Sequence, residues 1–253
     1  RRRTRHATRG LIARTLRVRL GAPAHASRVG GPAARRPSPS TAVSALPPSP
    51  LASLAQLPPY VFAALDRTKA EARAAGRTLV DLGIGSPDQP TPAPVVAALE
   101  AAARDPRWRG YPPFQGTPEF LEAAAAFMQR RFGVAVDPVR EVVAVSGSKE
   151  GLAHLFGAYL GHGDVALVPA VHYPVYARAP LMYGAEVHAI PTPAPHFLPD
   201  LDAIPPAVLA RAKTLIVNFP NNPTGATCDR AFLARCVAFA RAHGLLLISD
   251  LAY

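Results

Sequence analysis

Cysteine is almost absent from this chain: Cys228 and Cys236 are the only two, eight positions apart. That spacing matches no zinc or redox motif, and two thiols make no disulfide framework. Both are read as ordinary helix residues of a protein in a reducing, cytoplasmic compartment. Apolar runs of the ~20 residues needed to span a bilayer are missing as well. Lysine is confined to Lys69, Lys149 and Lys213. Acidic residues are wholly absent from residues 1–50, which hold eleven arginines. Residues 51–253 hold 17 basic and 17 acidic residues, so the net charge of +11 belongs entirely to the first fifth. A basic tail on a neutral body is not a basic domain, and neither a nucleic-acid nor a membrane partner is expected.

Three zones follow from composition. Residues 1–50 read as a disordered Arg/Pro-rich extension, because the Pro-rich stretch from Pro32 to Pro59 cannot build a core. An organelle-targeting segment, a nucleic-acid-binding tail and non-native upstream sequence remain alternatives for it. Residues 51–92 form an arm and part of a small domain, with a helix over Tyr60–Ala75 ended by Gly76 and a short strand over Thr78–Gly83. Residues 93–253 form part of a large domain in which helices and strands alternate. Pro94 opens a helix reaching Arg104. Thr117 and Pro118 open another, with Phe120, Leu121, Ala124, Phe127 and Met128 on one face and Gly133 at its end. Five apolar runs of strand length follow: Val142–Ser146, Val165–Pro169, Glu186–Ile190, Thr214–Phe219 and Leu245–Asp250. Between them, one helix starts near Ser148 with Leu152, Leu155, Phe156 and Tyr159 inward. A second spans Asp229 to His243 with Phe232, Leu233, Cys236 and Val237 inward. This alternation predicts an α/β fold with a mainly parallel sheet, buried strands and helices on both faces.

Ligands of such sheets bind beyond the carboxyl ends of the strands. Ser146-Gly147-Ser148-Lys149 ends an apolar run and starts a helix, an arrangement that suits a phosphate and equally suits a plain capped turn. Asn221-Asn222-Pro223-Thr224-Gly225 follows another run and aims amides at a ligand, or is turn chemistry alone. Asp250 ends Leu245-Leu246-Leu247-Ile248-Ser249, where a carboxylate needs a cationic or donor partner; an N-cap or structural ion pair is the plainer reading. Together they describe a ligand with an anion, a flat ring, a ring hydroxyl and a protonatable ring nitrogen.

Ser146-Gly147-Ser148-Lys149, Tyr173-Pro174-Val175-Tyr176, Asn221-Asn222-Pro223-Thr224-Gly225 and Asp250-Leu251-Ala252-Tyr253, in this order, resemble class I/II aminotransferases of fold type I. Within that class the chain is most similar to the LL-diaminopimelate and aspartate aminotransferase group. Leu82-Gly83-Ile84-Gly85 and Tyr111-Pro112-Pro113-Phe114-Gln115-Gly116 also fit, so the resemblance covers residues 57–253. It implies the large domain of that fold, pyridoxal 5'-phosphate as cofactor, amino-group transfer between an amino acid and a 2-oxo acid, and a homodimer. By the same resemblance Asp250 pairs with the pyridine nitrogen, and Asn222 and Tyr253 bond the ring hydroxyl. Tyr173 stacks on the ring, Ser148 and Lys149 hold the phosphate, and Gly85 lies beside the substrate. Tyr111 reaches the phosphate of the neighbouring subunit.

Two departures qualify the match. The family places proline two residues before the stacking aromatic, and here that position is Val171. The lysine that binds the cofactor covalently belongs after the Asp-x-Ala-Tyr strand, with the substrate-carboxylate arginine further on, and the sequence stops at Tyr253. Lys149 precedes Asn-Asn-Pro-Thr-Gly and so matches the phosphate turn instead. The expectation is therefore an incomplete large domain, poorly stable and inactive by itself, in which Val142–Ser146 lacks its sheet neighbours. A lyase of the same fold and a non-catalytic sensor domain are the alternative functions.

Overall fold

A computed structural model describes residue 57, residues 60–83, residue 85 and residues 87–253. The expected extension over residues 1–50 lies outside the described residues. The helices are α1 (Val61–Ala74), α2 (Ala93–Arg104), α3 (Pro118–Phe132), α4 (Ser148–Tyr159), α5 (Val175–Met182), α6 (Pro206–Leu209) and α7 (Arg230–Ala242). The strands are β1 (Val165–Pro169), β2 (Glu186–Ile190), β3 (Ala212–Asn218) and β4 (Leu246–Asp250).

The helix ends follow local chemistry. At the start of α3 the Thr117 hydroxyl accepts the Phe120 N–H at 3.3 Å, and Pro118 occupies the first turn, where no N–H is needed. Gly133 closes the helix at φ 68°, a left-handed conformation that a Cβ disfavours. Asp229 caps α7 in the same way, accepting the Phe232 N–H at 2.7 Å.

All strand pairings are parallel, in the order β2-β1-β3-β4. Side-chain alternation along each strand divides the core between two faces. Ala166, Val168, Ile216 and Ile248 face α4 and α5, meeting Leu152, Phe156, Tyr176 and Ala179. Val165, Leu167, Leu215 and Val217 face the other way, onto Phe232, Cys236 and Ala240 of α7. Phe156 is wholly buried, a contribution of roughly 1.5–3 kcal/mol from area removed from water. The expected three-layer α/β architecture is thus present over residues 148–250.

Several expectations are corrected. Thr78–Gly83 is not a strand: Val80 and Leu82 are exposed, and Asp81 instead pairs with Lys69 of α1 at 2.9 Å and accepts the Gly83 N–H at 3.0 Å. Val142–Ser146 is irregular, because among the described residues no strand runs beside it. Its backbone is met by Gln115, whose carbonyl accepts the Ala144 N–H at 2.7 Å and whose amide donates to the Val142 carbonyl at 2.8 Å. Burial on both faces holds at every position of β1 but not along the edge strands β2 and β4. On α7 the buried stripe is Phe232, Cys236 and Ala240, four residues apart, so Leu233 and Val237 fall to its exposed flank. On α3 only Leu121 is buried, and on α4 Tyr159 is half exposed. Cys228 lies just ahead of α7 rather than in a helix, and both thiols are free. Among the described residues no helix is long and apolar enough to cross a membrane.

Candidate functional site

The parallel register brings Asn218, the last residue of β3, opposite Asp250, the last of β4. Both sit at strand ends, where the chain leaves the sheet and side chains turn toward the N-terminus of α4. A cleft of about 160 Å³ opens there. Six residues singled out in the sequence line it: Ser148, Lys149, Tyr173, Asn222, Asp250 and Tyr253. Tyr176, Asn218 and Ala252, given no role above, complete it.

Asp250 is the buried charge of the cleft, 8% exposed. The Tyr176 hydroxyl donates to its Oδ2 at 2.6 Å, and the Asn218 amide donates to its backbone carbonyl at 2.9 Å. Burial, and then the hydrogen bond to Asp250, pushes the Tyr176 phenol far above its ordinary range, so it stays a neutral donor. Among the described residues Oδ1 of Asp250 accepts no hydrogen bond, yet it is not among the sealed, orphaned polar atoms. It is therefore not sealed off, and Asp250 lines the cleft.

The loop after β3 carries the second group. Asn218 Oδ1 accepts the Asn222 N–H at 2.9 Å, which ties the loop to the strand end. Asn221 braces the turn, donating to Thr224 Oγ1 at 2.8 Å. Asn222 is thereby free to point its amide across the cleft, where it donates to the Tyr253 hydroxyl at 2.9 Å. An amide and a phenol side by side can share one hydroxyl or oxyanion acceptor.

Positive charge comes from the opening turn of α4. Among the described residues no side chain caps that helix, so its first N–H groups are available to an anion, and Lys149 is its second residue. Lys149 Nζ donates to the Tyr60 hydroxyl at 3.3 Å and lies 6.0 Å from the Tyr173 ring centroid. A larger cavity of about 460 Å³ lies behind Lys149, between α4 and α5, but its walls are mostly apolar. The chemistry belongs to the smaller, polar cleft.

Two residues with expected roles, one of them toward a neighbouring subunit, lie outside this cleft. Tyr111 is fully exposed on the loop before α3, and Gly85 is exposed with nothing within 4 Å of where a Cβ would stand; neither lines the cleft. Three contributors had no assigned role: Tyr176, Asn218 and Tyr60. Asn218 was detectable as the amide ending Leu215-Ile216-Val217, and Tyr176 as the residue one helical turn after Tyr173. Tyr60 carries no such signal, since it joins Lys149 from 89 residues away.

The donor set fits the group that the motifs imply. A buried carboxylate with one open oxygen suits a protonated ring nitrogen, the Asn222–Tyr253 pair suits a ring hydroxyl, and an uncapped helix start with Lys149 suits a phosphate.

A family model, aminotransferase class I and II, matches residues 77–253. An LL-diaminopimelate aminotransferase of Syntrophobacter fumaroxidans is 47% identical over 76% of this chain and 50% of its own length. Transaminase BacF of Bacillus subtilis is 43% identical over 76% of this chain and 48% of its own length. The solved apo form of BacF superposes with a TM-score of 0.77 at 41% identity, covering 82% of this chain and 53% of BacF. An aspartate aminotransferase variant of Thermus thermophilus superposes at 0.72 and 33% identity, over 80% of this chain and 53% of its own. The chain spans about half the length of the curated relatives it matches.

Proposed function

The chain belongs to the class I and II aminotransferases, and from that premise we propose that it forms the cofactor-binding part of an enzyme moving an amino group between an amino acid and a 2-oxo acid. The cofactor is pyridoxal 5'-phosphate, whose protonated ring draws electrons away from the substrate's α-carbon when bound. The observation that carries the reading is Asp250: a buried carboxylate at the end of an apolar strand, lining the polar cleft, with one oxygen held by Tyr176 and the other without a hydrogen-bond partner among the described residues.

Each side chain has a distinct part. Asp250 keeps the ring nitrogen protonated; a hydrogen bond to a charged group of this kind contributes about 1.5–3 kcal/mol. Asn222 and Tyr253 both donate toward the ring hydroxyl and hold it as an oxyanion. Ser148, Lys149 and the first N–H groups of α4 hold the phosphate, so Lys149 is assigned to charge and not to a covalent bond. Tyr173 covers one ring face. Gly85 is assigned to the substrate side and Tyr111 to the phosphate of a second subunit, which makes the working unit a homodimer. Residues 93–253 are assigned to part of the cofactor-binding large domain, and residues 51–92 to the N-terminal arm and part of the small domain. The compartment is the cytoplasm. The names of the relatives make LL-diaminopimelate the first amino donor to try.

The test is to add pyridoxal 5'-phosphate to the full-length protein and follow visible absorbance, then turnover with amino acid and 2-oxo acid pairs. Cofactor binding with a new amino acid formed from the 2-oxo acid supports the proposal. Release of ammonia and pyruvate instead identifies a lyase. An Asp250→Ala protein should lose at least about a hundred-fold in turnover, as for removal of a preorganised electrostatic contact at the reacting centre. Wild-type turnover in that variant would overturn the assignment.

A further inference from the structure

Tyr176 is absent from the roles that the motifs assign, yet it makes the shortest side-chain contact at the cleft, 2.6 Å from its hydroxyl to Asp250 Oδ2. Its ring is 1% exposed and belongs to the core beneath α4 and α5. Two rings hold it. His172 lies nearly parallel at 6.4 Å, itself fastened through Nδ1 to the Pro169 carbonyl at 2.7 Å, and Tyr173 meets it edge-on at 6.0 Å. The phenol therefore has little freedom to turn away. Asp250 in turn is fixed at both ends: its backbone carbonyl by Asn218 and its Oδ2 by Tyr176.

We propose that Tyr176 is the positioning residue for Asp250, orienting the carboxylate so that Oδ1 faces the cofactor's ring nitrogen while leaving the full negative charge available to it. This rests on the function proposed above. The chemistry favours a phenol in this place. A lysine or arginine at Oδ2 would orient the carboxylate equally well but would neutralise it, and the ring nitrogen would then meet a cancelled charge. An apolar neighbour would leave a buried carboxylate short of donors, which favours its protonated form and takes the acceptor away. A neutral O–H donor avoids both outcomes. It satisfies one oxygen, favours the ionised carboxylate and keeps its own proton, because a buried phenol beside an anion resists ionisation. The residue touches neither substrate nor the reacting atoms and acts only through Asp250.

The experiment uses full-length protein loaded with pyridoxal 5'-phosphate carrying ¹⁵N in the ring, with two variants at one position. Tyr176→Phe keeps the buried ring and removes the donor; 3-fluorotyrosine at position 176 keeps the shape and strengthens the donor. Without the donor Asp250 becomes the stronger base, so the ring-nitrogen resonance should move toward the unprotonated value. With the fluorinated phenol it should move the other way or stay at the protonated limit. Tyr176→Phe should also lower kcat by about ten-fold with KM little changed, the loss expected when a hydrogen bond to a charged group is removed. A merely structural role would move stability and leave the resonance alone. Ring-nitrogen shifts equal to wild type in both variants would overturn the proposal while the functional reading survives. Failure of the wild-type protein to bind the cofactor would sink the functional reading and this inference with it. If the Phe variant does not fold, the fluorinated protein alone decides through the pH at which the ring-nitrogen resonance changes: a midpoint equal to wild type refutes the coupling.

Discussion

Residues 60–145 and residues 146–253 treat their apolar side chains in opposite ways. In the first region Leu121 is the one buried hydrophobic among the described residues, while Phe120, Phe127, Val143 and Val145 stand substantially exposed. In the second, two continuous clusters fill both faces of the sheet. Both regions contain well-formed helices with proper ends. The difference teaches that local signals are enough to start and stop a helix, whereas burying its apolar stripe needs another layer alongside. α4, α5 and α7 have β1 and β3 to lie against; among the described residues α1, α2 and α3 have no sheet.

The sharpest way to break this comparison is to truncate one phenylalanine in each region. Phe156→Ala should cost about 3–5 kcal/mol, the usual loss for a large buried aromatic. Phe127→Ala, at an exposed position beside Phe132, should cost less than about 1 kcal/mol. Equal shifts in urea unfolding midpoints would mean that the first region is as well packed as the second.

Glycines extend the contrast at smaller amplitude. A Cβ at Gly157 of α4 would lie 2.4 Å from the Tyr183 ring. Gly157→Ala should therefore push aside the tip of the Tyr183 ring, which is 38% exposed, and realise less than the ~1 kcal/mol of helix propensity gained. At Gly133 nothing lies within 4 Å, but φ is +68°. Gly133→Ala should then cost only the left-handed backbone penalty, about 1–2 kcal/mol. Thermal melts in which Gly157→Ala costs several kcal/mol would show that the Tyr183 ring cannot swing aside.

The smallest effect concerns a surface carboxylate of the sheet region. Lys213, 3.0 Å from Asp164, and the Gly161 N–H at 2.9 Å hold that carboxyl below its usual range. A depressed folded-state value means stabilisation present above the unfolded carboxylate range and lost as pH falls through the lowered one. Asp164→Asn should thus lower the urea midpoint slightly at neutral pH, with the gap closing as the solution is taken to about pH 3. A gap that widens in acid would reverse the sign argument.

Much of the sheet region was legible in advance because buried parallel strands are nearly all apolar and end in polar, Gly-bearing turns. Val165–Pro169 and Thr214–Phe219 read that way, and so do Asn222 and Asp250 at or beyond the strand ends. The same rule misread Val142–Ser146, since an apolar run becomes a strand only when another strand runs beside it. The hydrophobic stripe of α7 was drawn too wide: Phe232 and Cys236 are buried as read, while Leu233 and Val237 are apolar without facing the sheet. At the cleft, residues carried by motif turns were visible, while partners approaching from other elements were not.

By itself the order of residues determined where helices start and stop and which polar groups follow the apolar runs, because those choices depend on spacing, caps and turn residues a few positions apart; which apolar runs became strands was decided by their neighbours. Only the tertiary structure decided that Tyr176 meets Asp250 across 74 residues and that Tyr60 meets Lys149 across 89. Hydrogen bonds of that span are set by the register of the sheet and the packing of helices on it, which no local window of the chain contains.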